Sequence, residues 1–280
     1  MAGARITWFS SEKTVLEFFA LTYLVSWTFF AGAAFIARGT LEPAWVASLA
    51  TPVLLVGVFA PSLVAVALTA RTDGHAAVAR LLRRAVEGPA EPRWYVFAVT
   101  YIAAIKLAAA LLHRLAAGAW PVFGQQTVLV MAGAIVVSTP VQAGEEIGWR
   151  GYALPRLARR FGFGPASIVL GVIWACWHLP LFFMPLPGSD TVGQSFPVYV
   201  VQVTAISVAM AWLYWRTHGS LLITMLMHAA VNNTKDIVPS AVPDAANPWT
   251  LNASLVAWLT AMLLWTCAVY FLSQMRRASA

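Results

Sequence analysis

Charge is what this sequence has least of. Only 10% of its 280 residues are Asp, Glu, Lys or Arg, against about 25% in an average soluble domain. Cysteine is nearly absent too. The two present, Cys176 and Cys267, lie inside apolar stretches and lack the CxxC spacing of a metal or redox pair, so a disulfide framework is excluded and small-residue packing expected. There is no HExxH zinc-protease signature, no glycine-rich phosphate loop and no internal repeat; Gly162-Phe163-Gly164 lacks the rest of a dinucleotide fingerprint. Nor is any stretch between apolar runs long enough to fold as a soluble domain.

What fills the chain instead is hydrocarbon. Apolar residues make up 60% and the mean hydropathy is +0.73. The apolar runs are of helix-crossing length, about 20 residues, rather than the alternating ten-residue strands of a membrane barrel. An all-α, polytopic membrane protein follows, as one membrane domain over 1–280. Eight spans are expected, at 14–37, 45–70, 94–115, 126–147, 164–184, 195–215, 219–237 and 252–273. The sixth and seventh are joined tightly through Arg216-Thr217-His218-Gly219. Pro180, Pro185 and Pro187 are expected to end the fifth.

A net charge of +7 could suggest nucleic acid, but its distribution argues otherwise. Arg5, Lys13, the arginines of 71–93 and 150–160, Arg216, Arg276 and Arg277 all fall on one side if the N-terminus is cytoplasmic. That is the positive-inside pattern. It places both termini in the cytoplasm, makes the bilayer the partner of the basic residues and excludes a nucleic-acid role. The Ala- and Arg-rich composition suggests a bacterial inner membrane. Residues 76–86 form a short amphipathic helix or a solvated basic loop, and Pro155 should bend or restart the helix of 151–161. Lys106 sits mid-span, where it must ion-pair within the bundle or snorkel. Tryptophans near span ends, among them Trp94, Trp120 and Trp215, read as interfacial belts.

Against this background a few polar groups stand out. Glu145-Glu146-Ile147-Gly148-Trp149-Arg150 ends the fourth span with adjacent carboxylates, each costing about 2.5–3.5 kcal/mol or more at membrane depth. Glu146 and Arg150, spaced i,i+4, share a helix face and can pair, while Glu145 points about 100° away and stays available as a base. His178 lies well inside the fifth span, in Trp174-Ala175-Cys176-Trp177-His178. His228 and Asn232 repeat the i,i+4 spacing in the seventh. Each patch alone has an ordinary structural explanation, such as an interfacial charge cluster or a helix–helix hydrogen bond. Together, a carboxylate and two imidazoles can activate water, either directly or through a divalent ion such as zinc held by Glu145, His178 and His228. The apparent depths of Glu145 and His178 differ, so a tilt or kink is required.

Glu145-Glu146-xxx-Arg150, then aromatic-xxx-His at Trp174–His178, then His228-xxx-Asn232, resembles the CPBP family of intramembrane proteases, which includes CAAX prenyl protease 2 and the abortive-infection and bacteriocin-processing relatives. The resemblance covers about 127–237, taken as the catalytic core. It implies eight helices around a cavity open to the cytoplasm and bilayer, and hydrolysis of peptide bonds in membrane-associated proteins or peptides, prenylated CAAX proteins being the archetype. It further implies that Glu145 activates water with His178, that Glu146 and Arg150 brace the site, and that His228 and Asn232 stabilise the oxyanion. Trp174 stands where the family usually has phenylalanine and is expected to shape the substrate pocket. We favour a metal-independent mechanism over a divalent ion. The competing functions are a non-catalytic membrane scaffold or immunity protein, and a transporter using the polar cluster as an ion site. The sequence does not give the oligomeric state.

Overall fold

The computed structural model describes residues 6–38, 44–184, 191, 194–240 and 247–277; Arg5, Pro185 and Pro187 lie outside them. Every regular element among the described residues is helical. The α-helices are α1 (Ile6–Ala37), α2 (Ala50–Asp73), α3 (His75–Arg83), α4 (Pro92–Ala117), α5 (Val128–Ser138), α6 (Ala143–Glu146), α7 (Leu154–Phe161), α8 (Phe163–Trp177), α9 (Phe196–Arg216), α10 (Leu221–Thr234) and α11 (Leu255–Arg277). A 3₁₀ turn, Thr139–Gln142, links α5 to α6, and a π-helical segment, Ile147–Ala153, links α6 to α7. α9 is the most enclosed long helix, packed against α8 and α11, while α10 packs on α4 and α5 and α1 on α2.

Six helical stretches are long and apolar enough to cross a membrane: Thr14–Ala37, Trp45–Asp73, Pro92–Ala117, Val128–Phe161, Phe196–Arg216 and Leu255–Arg276. Large apolar side chains such as Leu16, Leu129, Val137 and Val269 stand exposed on them, as a lipid-facing surface requires. The chain is therefore an integral, multi-pass membrane protein. The fifth and seventh expected spans are helices at the expected places but shorter, with 15 and 14 residues. At 1.5 Å per residue each reaches only about 20 Å of a core about 30 Å thick. α8 stops because Pro180 follows directly, at the start of a 3₁₀ turn over Leu179–Phe182. α10 starts where Ser220 caps it, its hydroxyl accepting from the Ile223 N–H at 3.4 Å. Buried along most of its length, α10 is sheltered by other helices rather than by lipid.

The fourth segment runs further than its apolar run. Val128–Phe161 is one helical stretch of 34 residues, so Glu145 lies near its middle rather than at a membrane edge. Glu145 and His178 are brought to the same residue, Trp174, across a stretch broken by the 3₁₀ and π segments, where a kink was expected. Pro155 sits in the first turn of α7, where a missing N–H costs no bond, and so restarts the helix as its chemistry dictates. Residues 75–83 form the expected short helix, with only Leu81 buried. Lys106 neither ion-pairs nor snorkels. Its ammonium donates to the Val238 carbonyl at 3.0 Å and to the Ser240 hydroxyl, tying α4 to the chain beyond α10.

The acidic segment is brought close to α2 by small residues. Ser62 donates to the Ala143 carbonyl at 2.5 Å. A Cβ on Gly148 would lie 2.6 Å from the carbonyl carbon and oxygen of Pro61, backbone that cannot step aside. Helices in lipid, lacking a hydrophobic drive, depend on such close approach. Gly148→Ala should therefore destabilise the protein by about 1–3 kcal/mol, as overpacking does. Gly133→Ala, with nothing within 4 Å of the new methyl, should not. Thermal unfolding of both variants in one detergent checks this, and equal melting temperatures would contradict the packing described.

Candidate active site

Three elements meet at the polar cluster: the turn from α6 into the π segment carries Glu145, Glu146 and Arg150, the end of α8 carries Trp174 and His178, and α10 carries His228 and Asn232. A π segment places an extra residue in the turn and is frequent at functional sites.

Glu146 and Arg150 have no solvent exposure, and Glu146 Oε1 is the joint of the cluster. It accepts from Arg150 Nη1 at 2.8 Å and faces His228 Nδ1 at 2.9 Å. The expected pairing of Glu146 with Arg150 is present, and His228 shares the same oxygen. Glu145, 6% exposed, turns to a different partner and accepts at Oε2 from the Trp174 indole N–H at 2.7 Å. The two adjacent carboxylates are thus separated by task.

The hydrogen bonds assign the imidazole tautomers. His178 Nδ1 lies 2.9 Å from the Trp174 carbonyl, which can only accept, so Nδ1 carries the proton and neutral His178 presents a bare lone pair at Nε2. His228 Nδ1 likewise carries a proton toward Glu146. This is the carboxylate–histidine arrangement that fixes ring orientation. His178 caps the C-terminal end of α8, directly after Trp177, because Pro180 stops the helix there, and it is partly exposed.

Trp174 touches Glu145, Arg150, His228 and His178. Beyond its bond to Glu145, the Arg150 guanidinium lies 4.2 Å from its ring centroid, and the His228 and His178 rings meet it edge-on at 5.2 and 5.8 Å. With 3% exposure it is a central wall of the cluster rather than an open pocket surface. Asn232 is the outlying member. It is exposed, one helical turn beyond His228, and its neighbour Asn233 is the one held, donating to Ser138 Oγ at 2.9 Å and the Ala229 carbonyl at 2.8 Å. From Glu146 and Arg150 outward the site therefore opens toward His178 and Asn232.

Tyr199 belongs to the site and was not expected there. Its ring meets His178 edge-on at 5.6 Å, and the Trp177 ring meets the same imidazole at 4.7 Å. A tyrosine in an apolar helix gives no sequence signal for this. Among the described residues, no three His, Cys, Asp or Glu side chains form a group able to hold a metal ion. Glu145, His178 and His228 therefore do not stand together as a ligand set, although Glu145 keeps Oε1 and each imidazole keeps Nε2 clear of these hydrogen bonds. No step below passes through a metal.

Residues 123–234 match the family model of type II CAAX prenyl endopeptidases, Rce1-like. CAAX prenyl protease 2 of Methanococcus maripaludis is 26% identical over 98 residues, covering 34% of this chain and 36% of that protein. The chain thus spans about a third of the length of the curated relative it matches. The matched stretch contains Glu145, Glu146, Arg150, Trp174, His178 and His228, which the structure brings together, and the outlying Asn232. Over this stretch the chain is similar to the CAAX-type proteases of the CPBP family.

Proposed function

We propose that this chain is an intramembrane endopeptidase that hydrolyses a peptide bond in a membrane-associated protein or peptide, prenylated CAAX-type chains being the substrate class its family suggests. The observation that carries the reading is the division of the two carboxylates. Glu146 is committed through Oε1 to Arg150 and His228, while Glu145 keeps Oε1 free on the side of His178, whose Nε2 is bare.

In the reaction, a water held between Glu145 and His178 Nε2 gives its proton to Glu145 as its oxygen attacks the scissile carbonyl carbon. The carbonyl π electrons move onto oxygen, and the resulting oxyanion meets donors from Asn232 and His228. Asn232 can donate from its amide without any change of state. His228 already spends its Nδ1 proton on Glu146, so donation from Nε2 uses the imidazolium, with the Glu146 carboxylate opposite it. As the tetrahedral intermediate collapses, the C–N bond breaks and the proton on Glu145 passes to the departing amine. Glu146 and Arg150 serve as positioning residues that hold His228. On this reading the catalytic core lies within 127–237, and the arginine-rich end of the bundle faces the cytoplasm, as do both termini, in a bacterial inner membrane.

The direct test compares membranes containing wild type with membranes containing Glu145→Gln, reading newly formed C-termini by mass spectrometry. Peptides trimmed by the wild type should be uncut in the variant, and indistinguishable profiles would contradict the peptidase reading. A second test concerns how Glu145 is held. A hydrogen bond to a charged group is worth about 1.5–3 kcal/mol. Trp174→Phe removes that bond and should lower turnover of such a peptide by about 10- to 100-fold with little loss of folding. Unchanged turnover would mean that the indole N–H does not position the base.

A further inference from the structure

A second region of the molecule carries chemistry that the peptidase reading does not use. A cavity of about 710 Å³ opens where α4 begins and α9 ends, and it shares no lining residue with the Glu145 cluster. Its walls include Arg84, Arg93, Trp94, Trp215, Arg216 and His218. Cross-element contacts locate it at the arginine-rich end of the bundle. Arg71 at the end of α2 pairs with Glu17 in the first half of α1, and Arg156 on α7, next to the lining residue Pro155, pairs with Asp73 at the end of α2.

The charges around this cavity are unbalanced. Arg93 and Arg216 both lie over the Trp94 ring, their guanidinium carbons 4.7 and 5.4 Å from its centroid, and Arg216 also lies 5.7 Å from the Trp215 ring. Aromatic faces hold the flat faces of a guanidinium and leave its N–H edge unsatisfied. Among the described residues Arg216 has no carboxylate within ion-pair distance and no hydrogen-bond acceptor. Arg84 donates to the Gly219 carbonyl at 2.9 Å and to the Tyr214 hydroxyl, neither of them anionic. Glu91 is the one acidic group in the lining. It sits 3.5 Å from Arg93 and accepts from the Trp94 indole at 2.8 Å, offsetting one of the three arginines.

The turn that frames the cavity is also costly. His218 has φ of 53°, a left-handed conformation uncommon for any residue but glycine, and Gly219 follows at 86°. At Gly219 a Cβ would lie 2.9 Å from Arg84 Nη2, so a side chain there would displace the arginine. Backbone in sparsely populated regions persists where the surroundings over-determine it and clusters at ligand sites.

We propose that this cavity binds the phosphate of an anionic membrane phospholipid, gripped between the guanidinium edges of Arg93 and Arg216. Arginine's planar fork suits two phosphate oxygens at once. The tryptophans in the wall mark the level at which headgroups lie, where the six long helices leave the hydrocarbon. A lipid phosphate is therefore the anion already present at the right height. The bound lipid would clamp the start of α4 to the end of α9, and through the short turn to Ser220, the start of α10, which carries His228.

The test uses the full chain, delipidated and reconstituted into nanodiscs of phosphatidylcholine alone or with added phosphatidylglycerol. Melting temperature and phosphatidylglycerol retained after extraction, counted by native mass spectrometry, are the readouts. Wild type should gain melting temperature with phosphatidylglycerol and retain it. Arg93→Gln combined with Arg216→Gln should lose both effects, and Arg83→Gln, which lies outside the lining and pairs with Glu87, should keep them. Should the double variant fail to fold, Arg216→Lys keeps the charge but not the fork and should retain less of the lipid. Undiminished retention in that variant, or an undiminished melting shift in the double variant, overturns the proposal. So does inorganic phosphate reproducing the shift in phosphatidylcholine discs, which would assign the cavity to a soluble phosphate instead.

Discussion

Glu146 Oε1 is the point on which the polar interior turns. It lies out of reach of water, holds the Arg150 guanidinium and faces the His228 imidazole, linking the α6–π segment to α10 through a single oxygen. Taking two charges out of water is expensive, and their attraction offsets that expense only when geometry is good and further hydrogen bonds are made. The ion pair has good geometry and His228 adds a further bond, but Glu146 Oε2 and Arg150 Nε and Nη2 stay buried without a hydrogen-bond partner among the described residues. Arg150 adds the face of Trp174 at 4.2 Å, and Trp174 in turn binds Glu145. Remove the ion pair and the orientation of His228, the seat of Trp174 and the freedom of Glu145 all lose their cause.

The surrounding helices are arranged to permit this. Small residues on the acidic segment let α2 approach to backbone distance, and Ser207 donates to the Ser167 carbonyl at 3.0 Å where α8 meets α9 beside Gly171. Close backbone approach leaves little room for water, which strengthens the electrostatics of the few charges inside. Two of the three motif-bearing elements, α8 and α10, are short and shielded by longer helices. Polar groups on short, enclosed helices avoid lipid without needing to snorkel.

Much of the site was legible because charge is so scarce. With 10% charged residues, Glu145, Glu146 and Arg150 could not be background, and i,i+4 spacing predicted the Glu146–Arg150 pair that forms at 2.8 Å. The helical, membrane-spanning architecture was legible for the same reason: continuous apolar runs leave no other fold. Depth was not. Hydropathy ended the fourth span at the acidic pair because charge ends an apolar run, whereas the helix continues through a π segment whose Arg150 pairs with Glu146 inside the bundle. The family resemblance points Trp174 at the substrate pocket, and its indole N–H to Glu145 and its ring contacts to Arg150, His178 and His228 carry no signal in the sequence. Lys106 was weighed between an ion pair and snorkelling, and a carbonyl and a hydroxyl brought by distant sequence satisfied it instead. In each case the deciding partner lies far along the chain, where local pattern carries no information.

The central claim is that adjacent carboxylates do different work, Glu146 holding the site together and Glu145 acting on water. Thermal unfolding of Glu145→Gln and Glu146→Gln, measured side by side in the same detergent, separates the two most directly. Neutralising Glu146 strands the buried Arg150 charge, a change that costs about 3–5 kcal/mol. Glu146→Gln should therefore melt well below wild type, and Glu145→Gln should melt close to it. Equal losses in the two variants, or a larger loss in Glu145→Gln, would contradict the account.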